Sequence, residues 1–556
     1  IEKHETWRIR IVKDLQVGSI QFLRKTFRIS SVQEMSQTAY SRNMMTEPAP
    51  DLAAGPSEVA SFYAGRNILL TGGTGFLGRL VIERILRSCP EVKTVFLLAR
   101  GKKGKSPEER FTELFNDIFD RLRRERPGFS RKVVLVNGDI MQGGLGLCPE
   151  QRKLLQSTHI VVHCAATVRF DEKLRIAANI NVRGTLQLLS LAKEMVDLKA
   201  FVHVSTAYSH CVTQVIEEKF YPPPIDSDKL LSLIDLLDDA SLDHLTPVLL
   251  GKWPNTYAFT KAVAEDTIRR NCQSLPLCVV RPSIVIATFK EPISGWINNV
   301  YGVTGVLIGA AVGLLRTLRC DEDLVADMIP ADYVVNNIVV AAWKTAETHQ
   351  KVNGSTVPNG ESPPTIYNAV MSNQAPITWR QLMYLAEDHG LATPSMRCIW
   401  YYCLRLTKYR WVHNLYVIFL HLIPAAIVDC LAWLTGRKPM LWAAYKKIHK
   451  FSSVIEYFTM REWRFENKNF QQLWNRLGPA DRSEFDLDIG SFDWDECIFY
   501  HIRGLRLHLL KDSLDTIPQA RVRYAKLKVA HYTLMMAVCG ILLWLLWMVC
   551  RLIGLW

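Results

Sequence analysis

No C-x-x-C pair, no His/Cys spacing suited to a metal and no periodic framework occurs among the thirteen cysteines of this 556-residue chain. That scatter excludes a disulfide-stapled secreted scaffold, gives no ground for a zinc or other metal site, and predicts free thiols in a reducing compartment. Internal repeats of fixed period are absent too. The first sixty residues lack a signal-peptide apolar core ending in a small-residue cleavage site, so secretion is not expected. Acidic residues are the scarcer charge, 54 against 67 Lys and Arg, for a formal +13. No zinc finger, RNP-type or basic-zipper signature accompanies that excess, so nucleic acid is not an expected partner. Anionic headgroups and phosphate-rich small molecules remain.

What the chain does contain is globular: 49% hydrophobic and 22% charged residues. Residues 1–60 read as a weakly structured segment, rich in Ser, Met, Pro and Ala towards its end. The chain begins at Ile1, and Met35, Met44 and Met45 are candidate translation starts, with the preceding residues as read-through. From Asn67 the text becomes regular. "NILLT", "TVFLLAR" (94–100), "KVVLVNGDI" (132–140), "HIVVHCAAT" (159–167), "AFVHVSTAY" (200–208) and "LCVVRPSIV" (277–285) are short apolar, β-branched runs with helical patterns between them. Such alternation predicts an α/β fold, a doubly wound parallel sheet of Rossmann type covered on both faces, over residues 61–345. Past the Gly/Pro/Ser-rich linker "NGSTVPNGESPPT" (353–365) the composition turns to Trp and Arg in helical patterns. Residues 346–515 therefore read as a smaller, mainly helical domain, and 516–556 as a basic stretch with a membrane helix.

"TGGTGFLG" (71–78) follows a strand and opens a helix. Gly73, Gly75 and Gly78 satisfy G-x-G-x-x-G, and Gly72, Gly75 and Gly78 satisfy G-x-x-G-x-x-G. Either spacing lets backbone N–H groups of Thr71 to Gly78, with Phe76 and Leu77 opening the helix, approach a pyrophosphate. The second strand ends in Arg100, followed by Lys102 and Lys103, where NAD-specific sites end in a carboxylate. A guanidinium binds a 2′-phosphate that a carboxylate would repel, so the expected cofactor is NADPH. Asp139 and Ile140 end the third strand at the adenine position; Cys164, Ala165 and Ala166 end the fourth beside the nicotinamide ribose.

Ser205 and Thr206 end the next strand, and some fifty residues later "NTYAFTKAVAE" places Tyr257 four residues before Lys261. On a helix that pair shares a face. Carbonyl reduction needs a hydride donor, a proton donor and a group that holds the developing oxyanion. A tyrosine beside an ammonium, with a strand-end hydroxyl to position the carbonyl, supplies the last two.

Together the glycine loop, the Ser–Thr pair, Y-x-x-x-K and "RPSIV" resemble the extended short-chain dehydrogenase/reductase superfamily. That resemblance puts Thr206, Tyr257 and Lys261 on the catalytic triad, with Ser205 as the alternative hydroxyl. It puts Arg281, Pro282 and Ser283 where the family lines the nicotinamide and substrate pocket. More narrowly, "NTYAFTKAVAE", "GWINNVYGVTGVLIGA", "LTGRKP", "FENKNFQQLW" and "FDWDECIFYHIRGLRLHLLKD" resemble alcohol-forming fatty acyl-CoA reductases of the insect type, over about residues 62–515. The last two lie in that family's C-terminal, male-sterility domain. The resemblance implies a two-step reduction of long-chain acyl-CoA to primary alcohol with two NADPH. A membrane reductase of sterols or nucleotide sugars, and a non-catalytic NADPH-binding regulator, are the rival readings.

Three apolar stretches bear on the membrane. "TLMMAVCGILLWLLWMVC" (533–550) carries no charge and follows Arg521, Arg523, Lys526 and Lys528, which predicts a C-terminal anchor with the body in the cytosol. Its "GLW" end is not an SKL signal, which favours the endoplasmic reticulum over the peroxisome. "LYVIFLHLIPAAIVDCLAWL" (415–434) is broken by His421, Pro424 and Asp429 and reads as an acyl-tunnel lining or an interfacial segment. "VYGVTGVLIGAAVGLL" (300–315) has G-x-x-x-G spacing but is short, and reads as close backbone approach near the acyl chain or CoA.

Overall fold

Six of the apolar runs become neighbouring parallel strands. The computed structural model describes residues 55–102, 104–272, 275–353 and 363–552, so most of the N-terminal segment lies outside the described residues. Strands β1 (Asn67–Thr71), β2 (Thr94–Ala99), β3 (Val133–Asn137), β4 (Ile160–His163), β5 (Ala200–Val204), β6 (Leu277–Pro282) and β7 (Thr365–Ala369) form one sheet of order β7-β6-β5-β4-β1-β2-β3. Every neighbouring pair is parallel. β1, β4, β5 and β6 are buried at every position, because both faces are covered. Alternate residues feed opposite cores: Ile68, Leu70, Val95 and Leu97 on one side, Leu69, Phe96 and Leu98 on the other.

The helices used below are α1 (Phe76–Ser88), α2 (Thr256–Asn271), α3 (Gly302–Ala311), α4 (Ala331–Asn353), α5 (Leu441–Thr459), α6 (Trp494–Gly504) and α7 (Ile517–Leu552). α4 lies against α1 and strands β5 and β6; α2 packs on Gly184–Ala192 across the sheet. Strand order reverses between β1 and β4, and open α/β sheets bind ligands at the carboxyl ends beside such a reversal. β7 was not assigned from the sequence. It comes from beyond the linker and completes the sheet, so the sheet does not end at residue 345 as expected, and from Pro56 onward the chain clusters as one compact unit.

Among the described residues two helices, Arg410–Leu434 and Leu514–Leu552, are long and apolar enough to cross a membrane. The first half of α7 is tied to the body: Arg521 Nη2 donates to the Ala392 carbonyl at 2.8 Å, and Trp400 Nε1 meets His531 Nδ1 at 3.1 Å. Beyond these, Leu534, Met536, Leu543, Trp544 and Trp547 are exposed. α3 has only ten residues, and its glycine spacing serves internal packing. A Cβ on Gly305 would stand 2.5 Å from the Val300 carbonyl oxygen, and one on Gly313 2.4 Å from that of Trp400. The close approach expected there is therefore to the chain's own backbone.

Candidate active site

The glycine loop leaves a backbone cradle that side chains would fill. Gly72 has φ +73°, and a Cβ there would lie 2.6 Å from the Ala165 nitrogen; one on Gly78 would lie 2.3 Å from the Gly72 oxygen. Gly75 caps α1 without a side-chain hydrogen bond, so the N–H groups of the first turn, from Phe76 and Leu77 onward, have no side-chain partner at the cap. Thr71 fastens the loop to β4: its Oγ1 is 2.7 Å from His163 Nδ1, while His163 Nε2 is 3.0 Å from Thr185 Oγ1. Burial pushes the His163 imidazole down to about 3, with the Lys261 charge adding to the effect. The ring is neutral. The cradle, the open helix end and Cys164 and Ala165 against Gly72 fit a dinucleotide.

At the β2 end, Arg100 is over a third exposed, and its Nη1 donates to Asp139 Oδ2 at 2.9 Å. Asp139 Oδ1 accepts from the Met141 N–H at 3.0 Å, so this carboxylate organises its own loop and Arg100 together. Ile140 is buried and fills the space left by Gly184, where a Cβ would come within 2.2 Å of Ile140 Cγ1. Arg110, which the sequence reading passed over, bridges the two parts of this corner. Its guanidinium donates to the Arg100 carbonyl and to Thr74 Oγ1 in the glycine loop.

At the β5 end the two hydroxyls separate. Ser205 Oγ donates to Glu265 Oε1 at 2.6 Å, whereas Thr206 Oγ1 is 3.4 Å from the Pro282 carbonyl and hydrogen-bonds the Tyr257 side chain. Tyr257 and Lys261 sit on α2, whose N-cap Asn255 accepts from the Ala258 N–H at 2.9 Å. Burial pushes the Tyr257 phenol up to about 12, opposed by the Thr206 hydrogen bond. Lys261 Nζ donates to the Val204 carbonyl at 2.7 Å. Burial pushes this ammonium down to about 8, while Glu265 and Cys164 hold it up. In this geometry Lys261 is directed at the strand end, and it is Thr206 that favours the phenolate.

One helical turn past Lys261, Glu265 was not anticipated. It is fully buried with Arg281, which donates from Nε at 2.9 Å and from Nη2 at 2.5 Å, and Ser209 Oγ donates to it at 3.0 Å. Arg281 holds the carboxyl well below the usual carboxylate range despite burial, with His210 Nε2 3.5 Å away. Arg281 also donates to the Glu217 and Lys219 carbonyls. Its guanidinium thus points into the packing beneath the strand ends, and it does not line an open pocket. Pro282 contributes its carbonyl to the Ala207 N–H at 2.9 Å, and the Ser283 N–H donates to Ala369 of β7 at 3.0 Å. Asn181 was also missed. It sits in the π-turn Asn179–Arg183, accepts from the Thr167 N–H at 3.0 Å and donates to Thr260 Oγ1 at 2.9 Å, locking the β4 end to α2.

Aromatic rings roof Tyr257. Phe170 stacks on it at 5.6 Å between centroids, and Phe458 of α5 lies 5.6 Å from Phe170. Lys450, also of α5, reaches Asp171 at 2.7 Å. Among the described residues no group of three or more His, Cys, Asp or Glu side chains could hold a metal.

A doubly wound parallel sheet, a glycine cradle at its reversal point and a Thr-Tyr-Lys cluster beside it define an NAD(P)-dependent oxidoreductase of the extended short-chain dehydrogenase/reductase type. Two family models, each described as male sterility protein, match residues 70–338 and 420–512, the first of them an NAD-binding model. The chain is 38% identical over 498 residues to "Fatty acyl-CoA reductase wat" of Drosophila melanogaster, covering 89% of this chain and 94% of that one. With "Fatty acyl-CoA reductase 1" of Homo sapiens it shares 37% over 476 residues, 85% and 90% of the two chains. It belongs to the fatty acyl-CoA reductase family. The same fold occurs in the reductase domain of a nonribosomal peptide synthetase from Mycobacterium tuberculosis (TM-score 0.50, 17% identity, 82% of this chain and 94% of that one).

Proposed function

We propose that this protein reduces long-chain fatty acyl-CoA to the primary alcohol and CoA through a bound aldehyde, using NADPH. The observation that carries the proposal is the convergence of Thr206, Tyr257 and Lys261 beside the glycine cradle in a chain of this family. Reduced nicotinamide, when bound, supplies hydride to a carbonyl carbon. Tyr257, protonated across the physiological range, donates its hydroxyl proton to the carbonyl oxygen as charge develops there, and Thr206 holds that oxygen by a hydrogen bond. Lys261, donating to the Val204 carbonyl, keeps a positive charge at the strand end beside this cluster. From the thioester this gives a hemithioacetal; its collapse expels the CoA thiol, a competent leaving group, and leaves the aldehyde. A second reduction in the same cluster gives the alcohol.

The preference for NADPH rests on Arg100, with Arg110 beside it, where a 2′-phosphate would meet guanidinium groups. Residues 61–345, completed by Thr365–Ala369, serve as the cofactor-binding part, the rest of 346–515 as the part that receives the acyl substrate, and 516–556 as the membrane attachment. The basic turns that begin α7 support a body on the cytosolic side, where acyl-CoA and NADPH are supplied, with the endoplasmic reticulum as the site. Membranes from cells expressing the chain, given C16 acyl-CoA and NADPH, test this directly. Two NADPH oxidised per CoA released, with alcohol as product, is the expected result. A ratio of one with aldehyde would remove the second step, and no oxidation despite bound NADPH would refute the substrate assignment.

A further inference from the structure

The helix Arg410–Leu434 presents a long apolar face that none of the described residues covers. Trp411, Leu415, Phe419, Ile423, Ile427 and Leu431 recur every four residues, and all are exposed. The π-turn Val417–Leu422 inside the helix gives that turn extra residues and keeps the row in line. A patch of this size marks a contact with a protein or a lipid.

The path of the chain argues for lipid, and against a crossing. At its start the helix is held to the reductase body, where Arg405–Thr407 pairs with Thr317–Arg319. In its middle, His421 Nε2 accepts from the Arg316 N–H at 3.0 Å, and Arg316 Nη1 donates to the Leu420 carbonyl at 3.1 Å. At its far end Asp429 accepts from the N–H groups of Met440, Leu441 and Trp442 at 2.8–3.0 Å, and α5 turns straight back to the roof of Tyr257. The tip carries Arg437 and Lys438, both exposed. A crossing would put those charges on the far side and require α5, with Lys446, Lys447 and Lys450, to return through hydrocarbon.

The depth of the helix is set by its neighbour. Arg316 also lies over the Trp400 ring at 5.5 Å, and Trp400 is bonded to His531, two residues before the apolar part of α7. Tyr401 packs against His531 and Tyr532, with ring centroids 5.4 and 5.9 Å away. Trp and Tyr gather at membrane–water boundaries. The middle of Arg410–Leu434 is thus two side chains away from the point where α7 leaves the body. Between residues 410 and 450 there are six Lys and Arg against one Asp, a balance suited to anionic headgroups.

We infer that Arg410–Leu434 lies in the plane of the bilayer surface, its exposed row in the acyl region and its basic tip among anionic headgroups, as a second lipid contact beside α7. This surface sets the α5 roof of Tyr257 against the membrane. The inference uses α7 only as a tether and does not depend on the reaction proposed above.

The test uses the full chain in sealed microsomes, with a photoreactive residue at position 427 or, as a control, at Leu236, which is 82% exposed on the reductase body. A protease-cleavable tag between Gly436 and Arg437 reports the side. Position 427 is expected to crosslink to lipid at least ten times more than position 236, and the tag to be cut without permeabilisation. Crosslinks to protein instead of lipid, or a tag cut only after permeabilisation, would overturn the inference. Neither readout requires turnover, so a failure of the acyl-CoA assignment leaves it standing or falling by itself.

Discussion

Replacing Glu265 by Gln tests whether the buried pair beneath the site tunes Lys261. Lys261 and Glu265 are one turn apart on α2, with side chains starting about 5–6 Å from each other. Two unit charges about 6 Å apart in a medium of effective dielectric about 20 interact by about 2.8 kcal/mol, equivalent to about 2 pKa units. Lys261 is already pushed down to about 8 by burial, and Glu265 opposes that. Without the carboxylate the ammonium loses its proton at lower pH. Turnover that needs charged Lys261 should therefore decline on a high-pH limb near 8 in the native protein, and about one to two units lower in the variant. The assay is kcat/KM against pH at saturating NADPH, with cofactor affinity followed separately. Removing Glu265 strands Arg281, which costs about 3–5 kcal/mol of stability. A Glu265→Gln/Arg281→Met variant removes both charges, relieves that cost and should move the limb less. If both variants bind NADPH and keep the native limb, the tuning argument is wrong.

Tyr257→Phe should lower kcat by about 10²–10⁴ with NADPH affinity nearly unchanged, as read by single-turnover kinetics and cofactor fluorescence. Unchanged turnover would contradict the proton-donor role. Arg100→Ala should weaken NADPH by about 1.5–3 kcal/mol, the worth of hydrogen bonds to a charged group, and NADH much less; equal weakening in a titration of both would argue against a 2′-phosphate contact. The hydroxyls should divide by role. Thr206→Ala is expected to cut turnover with little loss of Tm, whereas Ser205→Ala, which unpairs part of Glu265, should cost about 1–3 kcal/mol of stability and keep most of the turnover.

The strands were legible because a parallel sheet covered on both faces demands continuous apolar, β-branched runs, and six of them stand in the text. The cradle was legible because crowding at Gly72 and Gly78 admits no other residue. Tyr257 and Lys261 announce themselves by helical spacing. Glu265 did not, although it closes the same quoted stretch, since its partner Arg281 depends on how α2 meets β6. The same register decides that Ser205 is committed to Glu265 while Thr206 faces Tyr257, a choice the adjacent hydroxyls leave open. β7 is a short run that the polar linker separates from α4, the helix that carries the chain back across the sheet before it. Phe458 joins the roof from nearly three hundred residues beyond Phe170, a distance that no local pattern bridges.

The origin of β7 has a consequence for synthesis. A nascent chain that has emerged only to residue 345 contains the whole cofactor cradle, Tyr257 and Lys261, yet β6 has a bare edge, with backbone groups between Cys278 and Arg281 open to any passing strand. Six-stranded intermediates of this kind await some twenty further residues before Thr365–Ala369 can dock. The helix Lys468–Arg476 then covers that strand, with Asn469 Nδ2 donating to the Ile366 carbonyl at 2.8 Å. Cutting the gene at the linker would therefore not yield a free-standing reductase. It would yield a sticky edge, and a useful truncation has to run past residue 476.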